Sequence, residues 1–109
     1  MKTNPLLKQI VSLAEEKKAE DLVTLNVSKI TSLSDYFVIC SANNFIQVKA
    51  IADNIKDNTK EKPWRTEGYQ NSNWIIIDYV DVVVHIFFEE TRHYYDLERI
   101  WFDAKPVKI

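Results

Sequence analysis

Three ionisable side chains, Asp78, Asp81 and His85, lie inside the run WIIIDYVDVVVHIFF that spans Trp74 to Phe88. Their neighbours are those of buried strands. An unpaired charged carboxylate costs several kcal/mol to bury, so these groups must be paired in the fold, exposed at a sheet edge, or used on a partner. Two converging carboxylates can hold metal ions for nucleotidyl transfer. A D-x-D spacing would put both on one strand face, but Asp78 and Asp81 are three apart, on opposite faces or around a bend. No Gly-Ser phosphate turn precedes them, and Ser41-Ala42-Asn43-Asn44 is a poor substitute. A nucleotide-handling enzyme is therefore the weaker alternative.

A thiol–imidazole pair is the next chemistry to weigh. Cys40 is the single cysteine, and it ends the apolar run YFVIC, where a thiolate is disfavoured. A small apolar core residue is its simpler role. One cysteine excludes an internal disulfide or a cysteine-based zinc cluster within the chain. The two histidines, His85 and His93, have no metal-ligand spacing. His85 is expected as a satisfied strand histidine or an interface donor. No catalytic residue, cofactor or metal is expected.

The aromatics Trp64, Tyr69, Trp74 and Tyr79 could stack bases, as in sheet-based RNA binders. No Lys/Arg-Gly-aromatic signature accompanies them. Fourteen basic and sixteen acidic residues give a formal charge of −2, which argues against a broad phosphate-binding face. A mildly acidic domain suits a basic protein partner. Trp74 opens a strand straight after a polar turn, where full burial is difficult, and Trp is enriched among interface anchors. Alternation puts Trp74, Ile76 and Asp78 on one face, and Ile75, Ile77 and Tyr79 on the other. The first face reads either as a docking stripe or as a core Ile with a half-buried Trp and an internally paired Asp. Pattern alone leaves both open.

The elements that must position these groups follow from periodicity and turn chemistry. The 109 residues are expected to form one domain, 1–109, long enough to bury a core without disulfides. Asn4-Pro5 is a helix start, followed by Leu7, Ile10, Val11 and Ala14 on one helical face and a solvated end over Glu15 to Lys18. Asp21 to Val27 reads as a strand with a wetter face at Thr24 and Asn26. Ser28 to Asp35 is a polar connection, and Tyr36 to Cys40 a central strand covered on both sides. Val48, Ile51, Ala52 and Ile55, with Phe45 one turn earlier, give a second amphipathic helix that ends at Lys60 to Pro63. Trp64 to Tyr69, Trp74 to Tyr79 and Val82 to Phe88 are strands. Asn71-Ser72-Asn73 turns the first pair, and Val80-Asp81 links the second. Glu89 to Trp101 is a closing helix with an apolar stripe at Tyr94, Leu97, Ile100 and Trp101, and Phe102 to Ile109 a tail. The order α-β-β-α-β-β-β-α predicts a mixed α/β (α+β) sheet of about five strands flanked by helices, with a parallel crossover and an antiparallel meander. The amino terminus lacks the apolar run of a signal peptide, and no stretch reaches the ~18–20 apolar residues of a membrane helix; a soluble cytoplasmic protein is expected.

Five segments together resemble the ribosomal silencing factor family, also called RsfS, Iojap-like or YbeB: SLSDYFVICSANN (Ser32 to Asn44), QVKAIADNI (Gln47 to Ile55), EGY (Glu67 to Tyr69), NWIIIDYVDVVVHIF (Asn73 to Phe87) and YYDLERIWFDA (Tyr94 to Ala104). The resemblance covers roughly Leu6 to Ala104. Its departures are Ala42 and Val80, where the family commonly has Gly. The resemblance implies a nucleotidyltransferase-like fold without its catalytic residues. It also implies binding to the large ribosomal subunit through the ribosomal protein L-fourteen, which blocks joining with the small subunit and lowers translation under nutrient limitation. Organelle relatives act in large-subunit assembly. The contact role carries over to Trp74, Asp78, Tyr79, Asp81 and His85, with Glu67 as an addition. A homodimer when unbound is a further expectation.

Overall fold

The computed structural model describes residues 4–95 and 105–106. Helix α1 (Pro5–Glu16) starts where Asn4 Oδ1 accepts from the Leu6 and Leu7 amides at 2.9 and 3.2 Å, with Pro5 in its first turn. This satisfies donors that a helix start leaves free. It closes on Lys18 at φ +59, with the Ala19 amide bonded to the Ala14 carbonyl and the Lys18 amide to that of Glu15, a left-handed cap in which Lys stands where Gly is usual. Helix α2 (Phe45–Asn58) is capped by Asn44, whose Oδ1 accepts from the Gln47 amide at 2.8 Å.

Strands β1 (Glu20–Asn26), β2 (Tyr36–Ala42), β3 (Arg65–Glu67), β4 (Trp74–Asp78) and β5 (Val82–Phe88) make the expected mixed sheet. A two-residue strand β6 (Lys105–Pro106), which lies in the expected tail, adds a sixth. The sheet order is β3-β4-β5-β2-β1-β6. Strands β2 and β5 pair in parallel at the centre, from Tyr36↔Val82 to Ala42↔Phe88. The meander β3-β4-β5 is antiparallel, as are β1-β2 and β1-β6. The meander thus carries the chain out from α2 to the β3 edge and back, so that β5 rather than β3 lies beside β2. Helix α3 (Glu89–Tyr95) begins where expected; Leu97, Ile100 and Trp101 of its expected stripe, and the Tyr94 side chain, lie outside what is described.

One sheet face packs on α1 and α2. Leu7, Ile10 and Ala14 of α1 and Val48, Ile51, Ala52 and Ile55 of α2 meet Val38, Cys40, Ile75, Ile77, Val84 and Ile86 in the larger core. The opposite face holds a smaller cluster of Leu25, Val27, Phe37, Ile39 and Phe87, with Trp74 and Val83 partly buried against it. Thr24 departs from the expected wet face. It follows Leu22, which packs on the helix-side core, by two residues and so shares its face, and it is buried. Among the described residues no helix is long and apolar enough to cross a membrane.

Candidate functional site

Strand β4 separates its residues as alternation requires. Ile75 and Ile77 are fully buried toward the helices, while Trp74, Ile76 and Asp78 are half-buried on the other face. The Trp74 ring stacks on Phe87 with centroids 4.9 Å apart, and its Nε1–H donates to His85 Nδ1 at 3.1 Å. The indole can only donate, so Nδ1 must be the unprotonated nitrogen and the neutral ring carries its proton on Nε2. That Nε2 is buried and has no hydrogen-bond partner. Burial pushes the His85 imidazole down to about 4, against a smaller upward pull from Asp78, so the ring is neutral near pH 7.

Asp78 is paired within the fold. Its Oδ1 accepts from the Val80 amide at 2.8 Å, and its Oδ2 faces Arg65 Nε at 3.5 Å across the β3–β4 register. Arg65 also meets Glu67 at 3.6 Å and stacks on Trp64. Asp81 is exposed at the β4–β5 turn, and its backbone carbonyl accepts from the Asp35 and Tyr36 amides at 2.9 and 3.0 Å. Trp74, Asp78 and His85 therefore share one sheet face, with Glu67 exposed on the β3 edge and Asp81 at the turn.

Tyr79 does not join them. It is 3% exposed on the helix side, and its hydroxyl lies 2.8 Å from Thr59 Oγ1 at the end of α2. It is a core residue here, because alternation from Asp78 turns it inward. Cys40 also faces the helices, while His85 faces away, since the β2–β5 register sets Ile39 rather than Cys40 opposite His85. The thiol and imidazole thus lie on opposite faces of the sheet. Burial pushes the Cys40 thiol up to about 12, only partly opposed by the Arg92 charge, which removes its nucleophilic form at neutral pH.

Beside this face lies an open groove of about 680 Å³. Phe37, Ile76, Val83 and His85 line it from the sheet, and the exposed Leu33, Trp64 and Val80 stand at its mouth. Sequence reasoning passed over Leu33, Arg65 and the groove itself. Leu33, which with Ile30 is apolar in the otherwise polar connection Ser28 to Asp35, was the available signal for the first. Arg65 as counterion to Asp78 required the β3–β4 register, which no local pattern supplies.

A family model described as ribosomal silencing factor during starvation matches residues 1–109. The chain belongs to the ribosomal silencing factor family. It is 41% identical over 112 residues to the ribosomal silencing factor RsfS of Halalkalibacterium halodurans, covering 100% of this chain and 96% of that one. A crystal structure of a Chromobacterium violaceum protein superposes with a TM-score of 0.88 at 30% identity, covering 98% of this chain and 92% of that chain. A more distant relative, the mouse mitochondrial assembly of ribosomal large subunit protein 1, is 28% identical over 110 residues, covering 92% of this chain and 48% of the mouse protein. Family membership agrees with the five segments from which it was read, including the β4–β5 run that carries the candidate face.

Proposed function

We propose that this chain is a cytoplasmic ribosomal silencing factor. It binds the large ribosomal subunit through the ribosomal protein L-fourteen and, by its bulk, prevents joining with the small subunit. The observation that carries this reading is the family match over all of residues 1–109. The site is compatible with a binding role that makes and breaks no bond. Its thiol is buried and protonated, its imidazole faces the other way, and Asp78 is held by Arg65 and the Val80 amide. The contact face consists of Trp74, Asp78, Asp81 and His85, with Glu67 at its edge; Tyr79 supports it from the core. Asp81 and Glu67 are the exposed acids that meet basic side chains, while Asp78 and His85 set the shape beneath. Electrostatic docking of this kind acts chiefly on the association rate and is screened by salt.

The test is titration of the purified chain with purified L-fourteen by calorimetry and stopped flow. Binding is expected, with an association rate that falls as salt rises and falls further in Asp81→Lys, where a repelling charge replaces an attracting one. No binding of the wild-type chain overturns the reading, and an Asp81→Lys rate equal to wild type at low salt removes Asp81 from the contact. A role in large-subunit assembly is a second reading. It is favoured by the name of the mouse relative, and it uses the same docking event at an earlier stage of the subunit's life.

A further inference from the structure

The groove is built rather than incidental. Its two lips come from segments far apart in sequence, the connection between β1 and β2 and the β4–β5 turn. Three hydrogen bonds tie them: Ser34 Oγ to the Val80 carbonyl at 2.9 Å, and the Asp35 and Tyr36 amides to the Asp81 carbonyl at 2.9 and 3.0 Å. These bonds hold Leu33 (81% exposed) and Val80 (52% exposed) beside Trp64 (69% exposed), where none of the three has a core to serve. Large apolar side chains fixed in place around a concave, apolar floor mark an interaction surface more than a solvated loop does. Beneath them, His85 is 7% exposed and its Nε2–H has no acceptor. A buried donor without a partner is costly, and it is spared that cost when a partner brings an acceptor.

Charge narrows the occupant. Glu67 and Asp78 line the groove with the single guanidinium of Arg65, and the exposed Asp35 and Asp81 directly follow its lining residues Ser34 and Val80 in the chain. Arg65 is already engaged by Asp78 and Glu67, and among the described residues neither Asp35 nor Asp81 has an ion-pair partner. An incoming carboxylate would be repelled, which favours a neutral acceptor, such as a backbone carbonyl, for Nε2–H.

We infer that this groove receives an apolar side chain carried on a basic protein segment, with Leu33, Trp64 and Val80 gripping the side chain, a neighbouring backbone carbonyl reaching His85 Nε2–H, and Lys or Arg residues flanking it opposite Asp35 and Asp81. Nε2 has almost no solvent contact in the free protein, so the carbonyl reaches it through a small opening of the groove. Trp74 is then a positioning residue: by occupying Nδ1 it fixes the ring so that Nε2 carries the donor. The inference rests on the proposed function, since the basic segment is taken to belong to the large subunit.

The experiment measures binding of purified large ribosomal subunits by the wild-type chain, by Leu33→Ser combined with Trp64→Ala, and by Ile46→Ser. Ile46 is 84% exposed at the start of α2 and lies outside the groove. All these side chains are exposed, so the variants should fold, and their circular dichroism verifies it. The groove variant is expected to bind at least about tenfold more weakly, the scale of a lost anchor, and the Ile46→Ser control to bind as wild type. Equal binding by all three overturns the groove while leaving the proposed function standing. Failure of the wild type to bind overturns the proposed function, and the inference with it. If the groove variant binds subunits normally but loses a concentration-dependent dimer seen by sedimentation of the free wild type, the occupant is a second copy and the inference is wrong.

Discussion

His85 couples the apolar face to its chemistry through one neutral ring. Burial lowers its proton affinity from the ordinary 6.5 to about 4, so between those values the unfolded chain binds a proton that the folded chain does not. Stability from this group is therefore complete above about pH 6.5 and is lost as pH falls through the folded value, by about 3 kcal/mol in all. Urea unfolding at pH 7 and pH 4 should show the wild type losing about that much more than His85→Gln, whose amide oxygen can still accept from Trp74 and does not titrate. Equal losses would mean that His85 is not buried as a neutral ring. Val80 carries a different cost. Its φ is +78, a region that β-branched residues rarely adopt. Here the Asp81 amide reaches back to the Tyr79 carbonyl at 3.1 Å across it. The family resemblance led to an expected Gly at this position; Val80 stands there in a strained conformation that Gly would relieve. Val80→Gly is expected to raise stability by about 1 kcal/mol, the strain relieved less the added backbone entropy. A lower denaturant midpoint would show that Val80 packs usefully in the free protein.

Among the elements, those whose signal is local were legible. The helical faces of α1 and α2, the caps Asn4 and Asn44, and the alternation of β4 each depend on residues a few positions apart. The features that were not legible depend on distant partners. Tyr79 was read as a contact because it sits in the matched run, but its hydroxyl partner Thr59 is 20 residues away. One of the bonds that tie the lips of the groove joins Ser34 and Val80, 46 residues apart. Strand β6 has two residues, too few for any periodicity to register. The acidic, aromatic character of the face was legible from composition, whereas the pairing of Asp78 with Arg65 needed the β3–β4 register. That register is pinned at its far end by Gly68, the one glycine of the chain. Its φ is +90, and a Cβ there would lie 2.0 Å from the Trp74 carbonyl oxygen. Gly68→Ala should therefore destabilise the protein by about 2 kcal/mol or more, through backbone strain and displacement of β3 from β4. An unchanged denaturant midpoint would mean that the β3 edge shifts freely and does not fix Arg65 against Asp78.

At the scale of the whole molecule, the proposed function is a matter of where a small body sits. The chain measures 35 × 31 × 22 Å along its principal axes and carries a formal charge of −2. Under the proposed function, a body of that size on the joining surface of a large subunit would exclude the small subunit by volume, without a chemical step. Glu67 on the β3 edge and Asp81 at the β4–β5 turn are exposed, placed so that the proposed basic partner would be steered onto them. Each tenfold gain in that binding corresponds to ~1.4 kcal/mol. The most direct measurement mixes purified large and small subunits with the purified chain under conditions that favour joining, and resolves the products on a sucrose gradient. Free subunits are expected to persist, with the chain cosedimenting with the large one alone. Joined ribosomes forming as fully as in its absence, with the chain left at the top of the gradient, would contradict the proposed function.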